Sequence, residues 1–515
     1  MTLIRSCIWF GLAWLQLAVF SVAAIPQGEA PVAVQDKESP PKAVMDEATK
    51  KKFQKFFDDA MPFVKLSTLK AKQRMKVYRS METLKKEIAA YEKANKVGSL
   101  LGDSASWRAI FDRNIQDRLL KGKFKKPSGR GRIKVETIQF EKSGELMLFE
   151  YAYRLPKDYD VKKRWPVVLC LHDEGCKNGE RYLKKVWADT KADQAIADKV
   201  ILVAPTLGLK TIKGKVKGRR VTQVSMEEWF GRIHALAIMR PIAEIRKRFN
   251  CDPERYYVEG VGRGGEMALD LAALYGATSG IAGVVARQAQ PRSLALLPGI
   301  AQIPTMFLYR EAGTMDQPST APLWDDIVKM AVAEKLAETL YVEKKPKLAV
   351  VNRKIMCEQA NEPLKEYNAD ILEFLTAKSA VSYPKKIRFV TNRALFKRCS
   401  WLTLNGLELM EGASVDCQAI IDEKANAIRL SGQGFNGFML LLNDEIVDLD
   451  RPVEVHVNGE LVTRQEVVRD LSYMLAGMKQ RSTYSFQIAT QYLKGEVPEK
   501  KDDKKSDEPA DDDIK

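Results

Sequence analysis

From residue 128 to residue 379 the chain alternates between short apolar runs and longer stretches of helical period, and this alternation restricts the fold more than any other feature. The short runs are Val167–Leu171, Val200–Ala204, Tyr256–Gly260, Gly283–Ala286, Thr305–Tyr309 and Leu348–Val351. They are rich in β-branched residues and bounded by turn formers, as buried strands are. Met226–Phe249, Gly264–Tyr275 and Pro322–Leu336 lie between them with apolar residues three and four apart, and Pro363–Leu375 follows the last run. Strands joined by helices run parallel, and a parallel sheet needs cover on both faces. The expected fold class is α/β, a mostly parallel sheet with flanking helices. Ile133–Phe140 and Leu146–Tyr153 have a period of two and are predicted to lead into that sheet.

The flanks differ in character. Met1–Ala24 places Arg5 before an apolar run, Cys7–Phe20, and ends in Val22, Ala23 and Ala24. This is the layout of a signal peptide cut after Ala24, and the run falls short of the ~20 residues that span a bilayer. Residues 25–44, rich in Pro, Ala, Gln and Glu, are expected to be a flexible linker. Residues 45–127 are predicted to be helical: Phe53, Phe56, Phe57, Met61 and Val64 form one stripe, Met75, Tyr78, Met81, Leu84, Ile88 and Tyr91 a second. A third helix is expected to start at Asp103 or Ser104. After the domain at 128–379, residues 380–491 are expected to form a β-rich accessory domain of short strands. It includes an Asn458-Gly459 hairpin turn after the strand Pro452–Val457, a helix over Gln465–Lys479 and a last strand over Thr483–Thr490. The charged tail, 492–515, is expected to be disordered.

The net charge is +16, and loss of Arg5 with the leader reduces it by one. An exported protein this basic is drawn to anionic polymers or to the envelope surface. No nucleic-acid-binding signature accompanies the charge, and no later segment is apolar enough to span a membrane. Of seven cysteines, Cys7 leaves with the leader. The other six are scattered, with no metal-site spacing, and leave both bridged and reduced states open. No cofactor and no metal are expected.

The strand Tyr256–Glu259 runs into Gly260-Val261-Gly262-Arg263-Gly264-Gly265 and then into the helical Glu266–Ala272. Glycines that open a helix after a strand also suit a phosphate loop. The surrounding segments favour another reading. Tyr153–Tyr159, Val168–Gly175 and this sharp strand-to-helix turn together resemble the α/β-hydrolase superfamily, nearest its secreted esterase, dienelactone hydrolase and prolyl oligopeptidase-like branches, over about residues 130–378. In that family the turn is G-x-S-x-G and the serine attacks a carbonyl. Gly262 stands at the serine position, with Gly260, Arg263, Gly264 and Gly265 completing the elbow.

The resemblance also marks what else is missing. The loop His172-Asp173-Glu174-Gly175 corresponds to the family's oxyanion loop, with carboxylates where glycines are usual. Carboxylates are the wrong sign for a developing oxyanion. Gly313 falls at the acid position, with Asp316 three residues on. The expected histidine stretch, 352–363, contains none; the chain's three histidines are His172, His234 and His456. The resemblance therefore implies a hydrolase-like, non-catalytic protein, secreted or periplasmic, serving as a binding or scaffolding module. The second reading is an active hydrolase working without a serine, through Asp316, Asp173 or Glu174 and a recruited water. A third is a structural role with oligomerisation through the N-terminal helices.

Leu209–Val221 contains Lys210, Lys213, Lys215, Lys217, Arg219 and Arg220 and no acid. As a loop after the second core strand it is expected either to form an anion-binding lip over the cleft, with Arg263 beneath, or simply to be solvated. His234 is expected to pack or cap within its helix and His456 to face solvent.

Overall fold

The computed structural model describes residues 43–60, 71–111, 129–142, 145–173, 176, 178–206, 214–216, 219–223, 232–289, 294–300, 303–308, 364–394, 396–409, 414–474 and 489–497. The leader, the linker to residue 42, the predicted strand at 348–351, the predicted helix at 322–336 and the tail beyond 497 lie outside them.

The alternating region forms one mixed sheet. Its strands are β1 (Ile133–Lys142), β2 (Glu145–Arg154), β3 (Trp165–Leu171), β4 (Ile201–Pro205), β5 (Gly214–Val216), β6 (Arg219–Gln223), β7 (Cys251–Val261), β8 (Ile281–Arg287) and β9 (Thr305–Leu308). The order is β5-β6-β2-β4-β3-β7-β8-β9, and β1 pairs antiparallel with β2. β2 also runs antiparallel to β4, whereas β4, β3, β7, β8 and β9 are mutually parallel. β3, β4 and β8 are buried along their whole length, which explains their unbroken apolar sequences. One face packs Ile238, Ile242 and Ile245, which belong to a helix at Arg232–Arg248, and Met267, Leu271 and Leu274 of another at Arg263–Ser279. The other face is covered by Tyr182, Leu183, Val186 and Trp187 and by Ile371, Phe374 and Leu375 of a helix at Asn368–Thr376.

The basic run at 209–221 is not a plain loop. Lys215 lies in β5 and Arg219 and Arg220 in β6, a hairpin that pairs with β2. Alternating Val216, Val221 and Thr222 carry the strand propensity that the lysine count hid.

Two further sheets follow. One has the order β10 (Lys386–Thr391), β13 (Val415–Asp422), β14 (Ala427–Gln433), β16 (Val453–Val457), β17 (Glu460–Gln465), and the other β11 (Arg398–Cys399), β12 (Leu402–Leu407), β15 (Phe435–Leu442), β18 (Gln491–Glu496). Their inner faces share a core around Trp401, Leu404, Leu430, Phe438 and Val455. Asn458 and Gly459 both have positive φ, 52° and 91°, as the two-residue turn between β16 and β17 requires. Val390 and Phe396 leave this core and enter that of the mixed sheet.

Three expectations here need correction. Gln465 ends strand β17 rather than starting a helix, because Glu460–Gln465 pairs antiparallel with Val453–Val457 and Val462 packs on the core. The helical turn lies at 471–474, and residues 475–488 are outside the described set. The last strand is β18, so residues 492–497 are ordered rather than part of a disordered tail. Leu493 anchors them at 1% exposure while Lys494 and Glu496 point outward.

Ahead of the mixed sheet, helix α1 (Glu47–Ala60), helix α2 (Ala71–Asn95) and a helix over 104–111 form a third core. Asp103 caps the last of these: its Oδ1 accepts from Ser106 N at 3.0 Å and its Oδ2 from Met45 N at 2.8 Å. Trp107 is fully buried, stacks on Phe53 at 5.5 Å and donates Nε1–H to the Leu100 carbonyl at 2.9 Å. Leu471 and Met474 belong to the same core, so these helices pack against the region around residue 471. His456 lies on the polar side of β16 with Nε2 3.2 Å from Glu454. His234 lies in the Arg232–Arg248 helix, and its side chain is outside the described set. Among the described residues Cys170, Cys176, Cys251, Cys399 and Cys417 form no disulfide with one another. Among the described residues no helix is long and apolar enough to cross a membrane.

If this third core is a true folding unit, Trp107→Ala should lower the stability of the protein by about 3–5 kcal/mol. Urea unfolding followed by tryptophan fluorescence measures it, and a loss below about 1 kcal/mol, the level typical of a surface change, would show the helices to be loosely attached.

Candidate functional site

β7 ends in a turn whose close approaches leave no room for side chains. A Cβ on Gly260 would lie 2.3 Å from the Gly264 carbonyl oxygen, and one on Gly264 2.2 Å from that of Leu171. One on Gly265 would lie 2.4 Å from the Ala289 methyl carbon. These glycines let the helix at Arg263–Ser279 start against the ends of β3 and β7. Gly262 sits at the apex with φ +52°, the left-handed region. Its N–H donates to the Arg287 carbonyl at 2.9 Å, and its own carbonyl accepts from Glu266 N at 3.0 Å.

The apex is occupied from outside. Asp173, two residues past the end of β3, accepts the Arg263 N–H on Oδ1 at 3.0 Å. A Cβ on Gly262 would lie 2.4 Å from that same oxygen and 2.7 Å from the Asp173 Cγ. The carboxylate therefore fills the space that a side chain at 262 would need. A negative charge at a helix N-terminus is favourable, typically by 0.3–1 kcal/mol. The Arg263 guanidinium pairs with Glu266, at 3.0 Å, on its own helix.

The Asp173 loop is held by its main chain. Its carbonyl accepts from Cys176 N at 2.9 Å and lies 2.8 Å from His172 Nδ1. A carbonyl only accepts, so Nδ1 carries the proton. His172 is 1% exposed, and its burial pulls its pKa from 6.5 down to about 4. It is a neutral strut at physiological pH.

Beneath the turn lies a charged pair that sequence reading missed. Glu259 of β7 and Arg287 of β8 are both fully buried, with Nε 3.1 Å from Oε2. Glu259 also accepts from Tyr182 Oη, 3.1 and 3.0 Å from its two oxygens, and from Trp187 Nε1 at 2.9 Å. Arg287 lies 5.1 Å from the Trp187 ring centre and donates to Asn368 Oδ1 at 2.9 Å. An acid in the apolar Tyr256–Val261 strand was the available signal.

Of the other predicted positions, Glu174, Gly175, Lys213, Lys217, Gly313, Asp316 and 352–363 lie outside the described residues. Asp444, Asp448 and Asp450 cluster in the β-rich region, but Arg469 already donates Nε–H to Asp444 at 3.0 Å and Nη1–H to Asp450 at 2.7 Å. A guanidinium thus holds the place of a cation there.

What the apex does chemically follows from its geometry. It carries no side chain at 262, and the Arg263 N–H beside it is taken by the Asp173 carboxylate.

No family model and no curated protein matches the chain. Solved structures similar in outline include a thermostable esterase, at 17% identity and TM-score 0.34 over 48% of this chain and 63% of that one. Another is S-formylglutathione hydrolase from Staphylococcus aureus, at 11% identity and TM-score 0.33 over 49% of this chain and 98% of that one. A dipeptidyl aminopeptidase IV-like protein from Bacteroides ovatus is 14% identical with TM-score 0.32, and the chain spans only 36% of its length. At these values the likeness concerns fold outline and adds nothing on activity. The strand order, the antiparallel β2 and the elbow after β7 are those of the α/β-hydrolase fold.

Two outcomes follow. Gly262→Ser should destabilise by about 1–2 kcal/mol from left-handed strain alone, and further through its clash with Asp173. In an Asp173→Ala background the clash disappears, so a double-mutant cycle in urea should return a coupling of about 0.5–3 kcal/mol. Additive effects would mean that the two residues do not share this space. His172 has a folded pKa below its unfolded one, so the unfolded chain binds the extra proton. Stability is then intact above pH 6.5 and falls by about 3 kcal/mol as pH drops to about 4. Melting curves across that window should flatten in His172→Gln, and an unchanged slope would count against a buried neutral histidine.

Proposed function

We propose that this is an exported, non-catalytic member of the α/β-hydrolase fold that serves as a binding or scaffolding platform. The observation that carries the reading is the Asp173 carboxylate at the elbow apex, 3.0 Å from the Arg263 N–H and inside the volume of any side chain at 262. Acyl transfer through a tetrahedral intermediate needs donors aimed at the developing oxyanion, and removing one costs about 10²–10³ in rate. Here the donor is already satisfied by a fixed negative charge. An incoming oxyanion would meet repulsion instead of a hydrogen bond.

The serine-free hydrolase reading is weaker on the same observation. Of its three candidate residues, Glu174 and Asp316 lie outside the described set, and Asp173 has one oxygen committed to the helix N-terminus. The leader-like Met1–Ala24 supports export, and the basic composition supports an anionic partner.

The expected result is that purified mature protein neither turns over short-chain nitrophenyl esters nor is labelled by a fluorophosphonate. Stoichiometric labelling of any serine, or turnover lost in Asp173→Asn, would overturn the non-catalytic reading. Export is checked separately, by fractionation and by a mature N-terminus at Ile25.

A further inference from the structure

We infer that helices α1 and α2 form a docking surface for a linear anionic polysaccharide carrying about one acid group per disaccharide. The inference names a partner for the proposed platform and rests on that reading only for its biological purpose. None of its residues belongs to the elbow, and its test reads binding rather than hydrolysis.

The first observation is an imbalance of charge. Residues 43–96 hold 14 Lys and Arg against 7 Asp and Glu, an excess of seven within the chain's +16. The second concerns which charges are used. Among the described side chains of this segment the acids are engaged internally: Asp46 caps Thr49, Glu47 pairs with Lys50, Glu82 with Lys85 and Glu87 with Lys52. Glu92 accepts from Ser99 and from Leu100 N. Lys51, Lys55, Arg79, Lys86, Lys93 and Lys96 are exposed and make no ion pair in the described structure.

The third observation is spacing. Arg79, Lys86 and Lys93 recur every seven residues on α2, on the side opposite the buried Leu84 and Ile88. Seven residues drift only ~20° around a helix and advance ~10.5 Å along it. The row is thus nearly straight, and its repeat is close to the length of one disaccharide. Exposed Thr83, Ala89 and Ala90 flank it and leave it open to a chain lying along the helix.

The same numbers disfavour other polyanions. Duplex DNA presents a charge every ~1.7 Å of axis, far denser than this row. A bilayer would need a cluster of apolar side chains to insert; among the described side chains of α2 only Met75 is a large exposed hydrophobic, and Leu84 and Ile88 are buried in the core.

The test uses full-length mature protein and hyaluronate oligosaccharides, which carry one carboxylate per disaccharide, titrated calorimetrically at low and at moderate salt. Binding should be present and salt-sensitive. The triple variant Arg79→Gln, Lys86→Gln, Lys93→Gln should weaken it by about tenfold or more, because the row supplies most of the attraction. All three sites are exposed, so the melting temperature should not move, and an unchanged melt makes the loss specific to the surface. Retained affinity in the triple variant would overturn the proposal. So would an equal loss in a Lys213→Gln, Lys215→Gln, Lys217→Gln control, or tighter binding to anionic vesicles or to duplex DNA than to hyaluronate.

Discussion

A carboxylate and a side chain cannot share the same few cubic ångströms, and the apex of this fold is built on that exclusion. Gly262 and Asp173 form one unit: the glycine leaves the hole, and the carboxylate fills it and caps the following helix. The exclusion has a consequence for function. An ordinary hydrolase elbow stores strain in order to present its nucleophile. Glycine adopts the same left-handed φ with no steric cost, and Asp173 caps the helix that follows. The turn keeps its shape because strand–helix packing needs it, whether or not a reaction takes place there.

The Glu259–Arg287 pair gives that turn its floor. Both charges are fully buried, so their desolvation is costly and is offset only if nearly every lone pair and proton is used. Tyr182 and Trp187 donate to the carboxylate and Asn368 accepts from the guanidinium, from two other segments. The network thereby joins four parts of the chain: β7, β8, the helical turn that follows the Asp173 loop and the helix at Asn368–Thr376. Replacing one member would leave a bare charge in the core, typically a loss of 3–5 kcal/mol.

How much of this was legible in the sequence varies with the range of the interaction. β3, β4, β7 and β8 were visible because burial on both faces leaves an unbroken apolar run. The glycine elbow was visible because close backbone approach restricts composition locally. Asp173 was visible as a misplaced carboxylate, but its bond to Arg263 joins residues 90 apart and no local pattern encodes it. The β5–β6 hairpin was hidden by its lysines, since charge suggests loop while Val216 and Val221 suggest strand, and pairing with β2 decided between them. Strand β18 was misassigned for a similar reason. Its one deeply buried residue, Leu493, sits among polar neighbours, and only the partner strand β15 reveals the inward face.

The N-terminal helices show how a region that looks dispensable becomes structural. Their stripes bury Phe53, Leu84, Ile88 and Trp107 together with Leu471 and Met474, which lie more than 350 residues later. A core shared across that separation ties the helices to the β-rich region, and Lys85 adds a contact 3.8 Å from Asp470. The apolar faces are consumed by this packing. The cations left on the outer faces have no such structural task, because the acids beside them are already paired or capping. Like charges held side by side repel one another, and a fold stabilised elsewhere tolerates them. Their arrangement as a straight row on a rigid helix then acts as a fixed template, pre-organised for a partner whose own charges are sparse and regular.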